Sequence, residues 1–244
     1  MTAKPDFPFY NDRPIQIEGR DWLLLMGALA VALAVLTLLP LRQFPQNLVP
    51  ALLFLAIPLL ALRHVAGPHW TALFRPVGFR EIGLMLLFGL LTLVGSILAA
   101  LILSQLFTLS SNPVAESFEG MTALALAARL IPTIPQLIGE ELLGVLPFLA
   151  MLWLCVTRLG LSRQAGIIIG LLVSALVFGA AHLPTYDWNW GQALLGIGSA
   201  RVFLTLAYIA TRNLWVSAGA HVLNDWSGFF FAFSAGHAPV GSEP

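Results

Sequence analysis

The sequence predicts an all-α, polytopic transmembrane helical bundle of about seven spans. Of the 244 residues, 58% are hydrophobic and only 10% charged. Mean hydropathy is +0.86, and apolar runs long enough to cross a bilayer recur along the chain. Soluble domains carry about a quarter charged residues, so a shortage this large implies a surface that meets lipid. Strands of a membrane barrel would alternate in polarity over about ten residues, and no segment does so. The net charge is zero, which removes the electrostatic case for a nucleic-acid partner. The single cysteine, Cys155, excludes a disulfide framework and a Cys-rich zinc site.

Residues 1–21 are polar and Pro-rich, without a signal-peptide pattern, and read as a cytoplasmic N-terminal segment. A helix needs about 17–25 apolar residues to span the hydrocarbon core. Residues 22–41 form the first such run. The second, 48–62, is short and holds Pro50 and Pro58, so a kink or tilt is expected there. The third is 82–107. Residues 113–131 follow, with Glu116, Glu119 and TALALAARLI, a piece that either lies on the surface or extends the next run. The remaining runs are 133–157, 164–182, 192–210 and 214–233. Residues 22–233 therefore read as one transmembrane domain, with its candidate catalytic part at 133–233, and 234–244 as a flexible tail.

Lys4, Arg13 and Arg20 precede the first run, and Arg63, Arg75 and Arg80 follow the second. Arg158 and Arg163 separate the fourth and fifth, and Arg212 separates the sixth and seventh. With seven spans, one side collects nearly all the basic residues. The positive-inside rule then predicts a cytoplasmic N-terminus and an external C-terminus, in what is expected to be a bacterial inner membrane. The partners expected from this are membrane lipid and no nucleic acid; the oligomeric state is not legible.

An ionisable side chain at membrane depth costs from about 2.5 kcal/mol upward, so each needs a task. Those within the apolar runs fall in the second half of the chain: Glu140 and Glu141 in LIGEELLG, His182 in VFGAAHLP, Arg201 in GSARVFL, and His221 and Asp225 in GAHVLNDW. His221 and Asp225 are four apart and share one helical face, with Asn224 on the same broad face. Phe178 stands four residues before His182 and can wall the site beside the imidazole. Glu140 and Glu141 point about 100° apart, so one aims at a shared centre while the other braces a neighbouring helix. Gly139 and Gly144 allow close helix approach. His64, His69 and His237 fall in loops or tail, and Tyr186, Trp188 and Trp190 read as an interfacial belt rather than a lid. Counting about 1.5 Å per residue from the basic loops puts His182 near the outer face and His221 nearer the middle, so the site is expected to open outward or to sit mid-membrane.

A Glu-Glu pair on one helix, then Phe-x-x-x-His, then His-x-x-x-Asn/Asp resembles the CAAX protease and bacteriocin-processing (CPBP, or Abi) family of intramembrane proteases. The matching residues are Glu140 and Glu141, Phe178 with His182, and His221 with Asp225, and the resemblance covers roughly residues 136–230. The family's first motif is usually Glu-Glu-x-x-x-Arg. Here Val145 stands at the Arg position, and Arg201 in the sixth span is the residue able to restore that charge from another helix. The resemblance implies an endopeptidase acting on a membrane-associated protein or peptide. In it Glu140, beside Glu141, is the general base on a water that His182 helps to hold. His221 and Asp225 stabilise the oxyanion or ligate an ion, with Phe178, Asn224 and Arg201 as substrate contacts. Two cofactor readings stand: a metal-free site, which is favoured, and a divalent metal such as zinc held by Glu140, His182, His221 and Asp225, for which no His-Glu-x-x-His helix is present. Two other functions compete. One is a non-catalytic membrane partner such as an immunity or assembly protein, which Val145 favours. The other is a proton- or cation-coupled transporter, since buried Glu, His and Asp also build relays, although no inverted repeat is found.

Overall fold

The computed structural model describes residues 6–118 and 120–237; Lys4, Glu119 and residues 238–244 of the expected tail lie outside them. The chain is a bundle of helices: α1 (Gly19–Leu38), α2 (Leu48–Ala66), α3 (Phe79–Leu103), the short α4 (Pro113–Glu116) and α5 (Ala123–Leu130), α6 (Thr133–Trp153), α7 (Arg163–Ala181), α8 (Gly198–Thr211) and α9 (Leu214–Ala235). Among the described residues no strand forms, only an isolated bridge between Phe9 and Gln16. Six of the helical segments are long and apolar enough to cross a membrane. The seventh expected span, α9, is as long as the others at 22 residues, but His221, Asn224 and Asp225 lower its hydropathy. It runs on to Ala235, two residues into the expected tail, an ordinary end effect.

Helix α6 is the axis. The span that contains it is 78% buried, against 17% for α3. The two carboxylates of α6 must be enclosed by other helices, and α6 packs on α1, α2, α7, α8 and α9. Helix α3 instead turns Leu86, Leu90, Leu98 and Leu101 outward, towards lipid. The segment before α6 extends the fourth run rather than standing apart. Ile131 and Pro132 keep helical dihedrals, and Leu126 and Leu130 pack with Phe118 and Phe229 of α9.

Two local features place the functional side chains. Helix α7 starts at Ser162, whose hydroxyl accepts from the Ala165 N–H at 3.2 Å, and ends at Ala181 just before His182-Leu183-Pro184. A 3-10 turn (Leu183–Tyr186) follows, then Asp187 and Trp188 at φ 51° and 59° reverse the chain. The chain re-enters as a π-turn over Gly191–Ile197 that leads into α8. A side chain at Gly179 would place its Cβ 2.6 Å from the Ala193 carbonyl oxygen, so the missing Cβ is what lets this wide turn close on α7. π-turns of this kind are frequent at functional sites.

The N-terminal segment, read from the sequence as a polar lead-in, folds back into the bundle. Phe7, Phe9, Tyr10 and Ile17 are buried. The Phe7 ring meets Phe148 edge-on at 5.3 Å, and the Arg163 and Arg212 guanidiniums each stand 5.1 Å from its centroid. Arg163 donates to Asp6 at 2.6 Å. Fully burying each such apolar side chain contributes about 1.5–3 kcal/mol, enough to hold the segment in place.

Candidate active site

The two glutamates on α6 have different surroundings. Glu141 is fully buried. Arg201 of α8 grips it with both guanidinium nitrogens, at 2.7 and 3.0 Å, and the Nδ1–H of His221 donates to the same carboxylate at 2.9 Å. Arg201 in turn donates its Nε–H to Thr205 at 3.0 Å, and its guanidinium lies 5.3 Å from the Phe178 ring centroid. The Glu141 carboxylate thus accepts three hydrogen bonds and the guanidinium donates three, the kind of pairing a buried ion pair requires. Val145, four residues after Glu141 on the same helix, is wholly buried in the apolar core. The charge expected at that position comes instead from α8. Room for it is made at Gly144, where a Cβ would come within 2.6 Å of the Arg201 Cζ.

Glu140 points the other way, to a cavity of about 650 Å³ bounded by the ends of α1, α3, α6, α7 and α9. Gln136, one turn earlier, donates to its Oε1 at 3.0 Å. Its Oε2 faces His182 Nε2 at 3.9 Å and His221 Nε2 at 3.7 Å. His182 Nδ1 lies 2.8 Å from the Phe178 carbonyl, an acceptor only, so Nδ1–H donates there and Nε2 is left facing the cavity. His221 likewise commits its Nδ1–H to Glu141, and its Nε2 stands 3.6 Å from Asp225 Oδ1. Asn224 donates to that oxygen at 2.9 Å. Phe178 joins these parts: its ring lies 4.6 Å from the imidazole of His182 and 6.0 Å from that of His221.

The structure thus brings Glu140, Glu141, His182, His221 and Asp225 into one cluster. It also sets Phe178 and Asn224 on the cavity wall. Arg201, expected as a substrate contact, is buried behind Glu141 and does not line the cavity. Two lining residues escaped the sequence reading. Gln136 sits one helical turn before Glu140, a spacing that could have flagged it. Tyr186, assigned to the interfacial belt, is buried instead, and its hydroxyl accepts from Asn112 at 3.2 Å. Burial and the nearby Asp225 carboxylate push the Tyr186 phenol up to about 12, so it remains a neutral O–H donor.

The metal reading meets a geometric difficulty. Among the described residues no three His, Cys, Asp or Glu side chains are grouped as a metal site requires. Even so, Glu140 Oε2 faces both Nε2 atoms and His221 Nε2 faces Asp225, with each Nδ1–H held by a second acceptor, so Glu140, His182, His221 and Asp225 are the residues that would hold an ion.

Fold and site together define a multi-pass helical membrane protein with a glutamate–histidine centre at the wall of a cavity that opens at one face of the bundle. The family model for Type II CAAX prenyl endopeptidase Rce1-like proteins matches residues 16–227, and the chain belongs to that family. The family is one of membrane proteases, in keeping with the CPBP motifs, and the match takes in the first three spans as well as the motif-bearing half. No curated protein and no solved structure matches the chain.

Proposed function

We propose that the protein is an intramembrane endopeptidase that hydrolyses a peptide bond of a membrane-associated protein or peptide with a water activated by Glu140 and His182, without a metal. The observation that carries this reading is the division of labour in the glutamate pair: Glu141 is saturated, while Glu140 Oε2 faces two imidazole nitrogens across 3.7–3.9 Å. That gap is too long for a direct hydrogen bond, and the three atoms together face the cavity, where a water seated beside them would be within reach of each. Glu140 accepts a proton from the water as the oxygen adds to the scissile carbonyl, and His182 Nε2 accepts from the second O–H and orients it. The Tyr186 O–H and the Nε2–H of His221 in its imidazolium form are the donors available to the resulting oxyanion. The C–N bond then breaks as Glu140 returns the proton to the leaving amine. Asp225 orients His221, and Phe178 keeps the two imidazoles apart.

The N-terminal face is assigned to the cytoplasmic side of a bacterial inner membrane, supported by the arginines gathered there. The reading as a non-catalytic partner drew its strength from Val145, and the Arg201–Glu141 pair removes that ground. Hydrolysis of membrane-anchored peptides by purified protein in liposomes tests the proposal. Glu140→Gln and His182→Ala are expected to lower turnover by about 10²–10⁴-fold, the range for loss of a general base. Turnover equal to the wild type in both variants would overturn it.

A further inference from the structure

The direction in which the cavity opens, set against the distribution of arginines, bears on the substrate. Every helix end that lines the cavity belongs to one face of the bundle. These are the C-terminal ends of α1, α3, α7 and α9, the N-terminal ends of α2 and α6, and the π-turn before α8. Glu140 lies seven residues into α6 from that face, about 10 Å at 1.5 Å per residue. The way out passes Gln136 and Thr133, Tyr186, and the 109–112 segment. Towards the opposite face the way is shut by the apolar core of Phe7, Phe148, Leu142 and Tyr208. No residue of the opposite face's turns, at 67–78, 154–162 or 212–213, lines the cavity.

That closed face holds the cations. Arg13 and Arg20 stand before or at the start of α1, and Arg63, Arg75 and Arg80 around the α2–α3 connection. Arg158 and Arg163 flank the connection from α6 to α7, and Arg212 that from α8 to α9. Their common location is direct: Arg75, Arg80 and Arg212 line one surface pocket, Arg163 reaches Asp6 and Arg158 reaches Glu18. On the cavity face, among the described residues, only Arg42 and Arg129 are present outside the buried core. Short loops rich in Lys and Arg stay on the cytoplasmic side.

We infer that the cavity opens away from the cytoplasm and takes its substrate from that side: a membrane-anchored or membrane-embedded peptide segment presented at the non-cytoplasmic leaflet, not the C-terminus of a cytosolic protein. The substrate half of this inference rests on the endopeptidase reading, and the orientation half does not.

Orientation is tested by single cysteines in the full-length chain, Ser111→Cys on the cavity face and Leu159→Cys on the closed face, both exposed positions. The native Cys155 is buried and stays silent, as the unmodified chain verifies. A membrane-impermeant maleimide applied to spheroplasts is expected to label Ser111→Cys at once and Leu159→Cys only after permeabilisation. The reverse pattern, or equal labelling of both, overturns the inference. In liposomes of sorted orientation, a membrane-anchored peptide is expected to be cleaved only when its scissile segment is on the Ser111 side. Cleavage only from the Leu159 side overturns the inference and leaves the protease standing. No cleavage from either side, with the labelling as expected, overturns the protease reading and leaves the orientation.

Discussion

At the scale of single residues, the Arg201–Glu141 pair explains how the chain departs from its family's first motif without exposing a charge to the membrane interior. An arginine at position 145 would lie one turn from Glu141 on the same helix; here Val145 packs in the core and the guanidinium arrives from α8 over Gly144. Removing one partner of a fully buried ion pair costs about 3–5 kcal/mol, so Arg201→Met is expected to destabilise the protein by that much in detergent unfolding. Arg201→Met with Val145→Arg is expected to recover part of the loss, since the charge returns to Glu141 from within α6. A double variant no more stable than the single one would show that position 145 has no access to Glu141. Tyr186 carries the second residue-scale prediction. Loss of one oxyanion donor costs about 10²–10³-fold in turnover, so Tyr186→Phe is expected to lower kcat towards that range with little change in KM. An unchanged kcat would remove it from the reaction. The glutamates, histidines and Asp225 stand out in the sequence because an ionisable group within an apolar run is costly. Tyr186 does not stand out, because it sits among Trp188 and Trp190, and burial of one aromatic in three leaves no compositional mark.

At the scale of elements, the spanning helices begin and end within a few residues of the apolar runs, since the thickness of the bilayer sets both. The N-terminal segment behaves otherwise. Phe7, Phe9 and Tyr10 lie among prolines and aspartates with no helical or strand periodicity, so nothing in the pattern announces that they plug the end of the bundle. Asp6 fastens this plug. Burial acts to raise its pKa, but the donors from Arg163, Tyr10 and the Phe7 N–H outweigh it and hold the carboxyl below its ordinary value. A depressed carboxylate contributes stability that is complete above its unfolded value, near 3.9. The contribution is lost as pH falls through the lower folded value. Limited proteolysis ahead of α1 is therefore expected to be slow at pH 7 and to quicken below about pH 4, with Asp6→Asn cleaved at pH 7 nearly as fast as the wild type in acid. A pH-independent cleavage rate in the wild type would show that the plug is held by its aromatics alone.

At the scale of the whole molecule, the bundle is arranged around α6, and this predicts where truncation hurts. Between packed helices, removing a leucine side chain leaves a cavity that costs about 2–5 kcal/mol. On a lipid-facing surface the same truncation exchanges one apolar contact for another, because acyl chains are as apolar as leucine. Leu146 on α6 is 0% exposed and Leu90 on α3 is 58% exposed. In unfolding measured in lipid bicelles, Leu146→Ala is expected to cost about 2–5 kcal/mol, and Leu90→Ala to stay within about 0.5 kcal/mol of wild type. Hydropathy alone does not separate the two positions: both are leucines in long apolar runs, and the run holding α3 is the more hydrophobic. What separates them is that α6 carries Glu140 and Glu141, and paired or cavity-facing charges must be enclosed by other helices. The costly carboxylates thus draw their helix to the centre, and α3, whose charged residues Arg80 and Glu81 lie only in its first turn, remains at the edge. Equal costs at the two positions would mean that α3 packs against another protein surface in the membrane, and the bundle described here would be only part of the functional assembly.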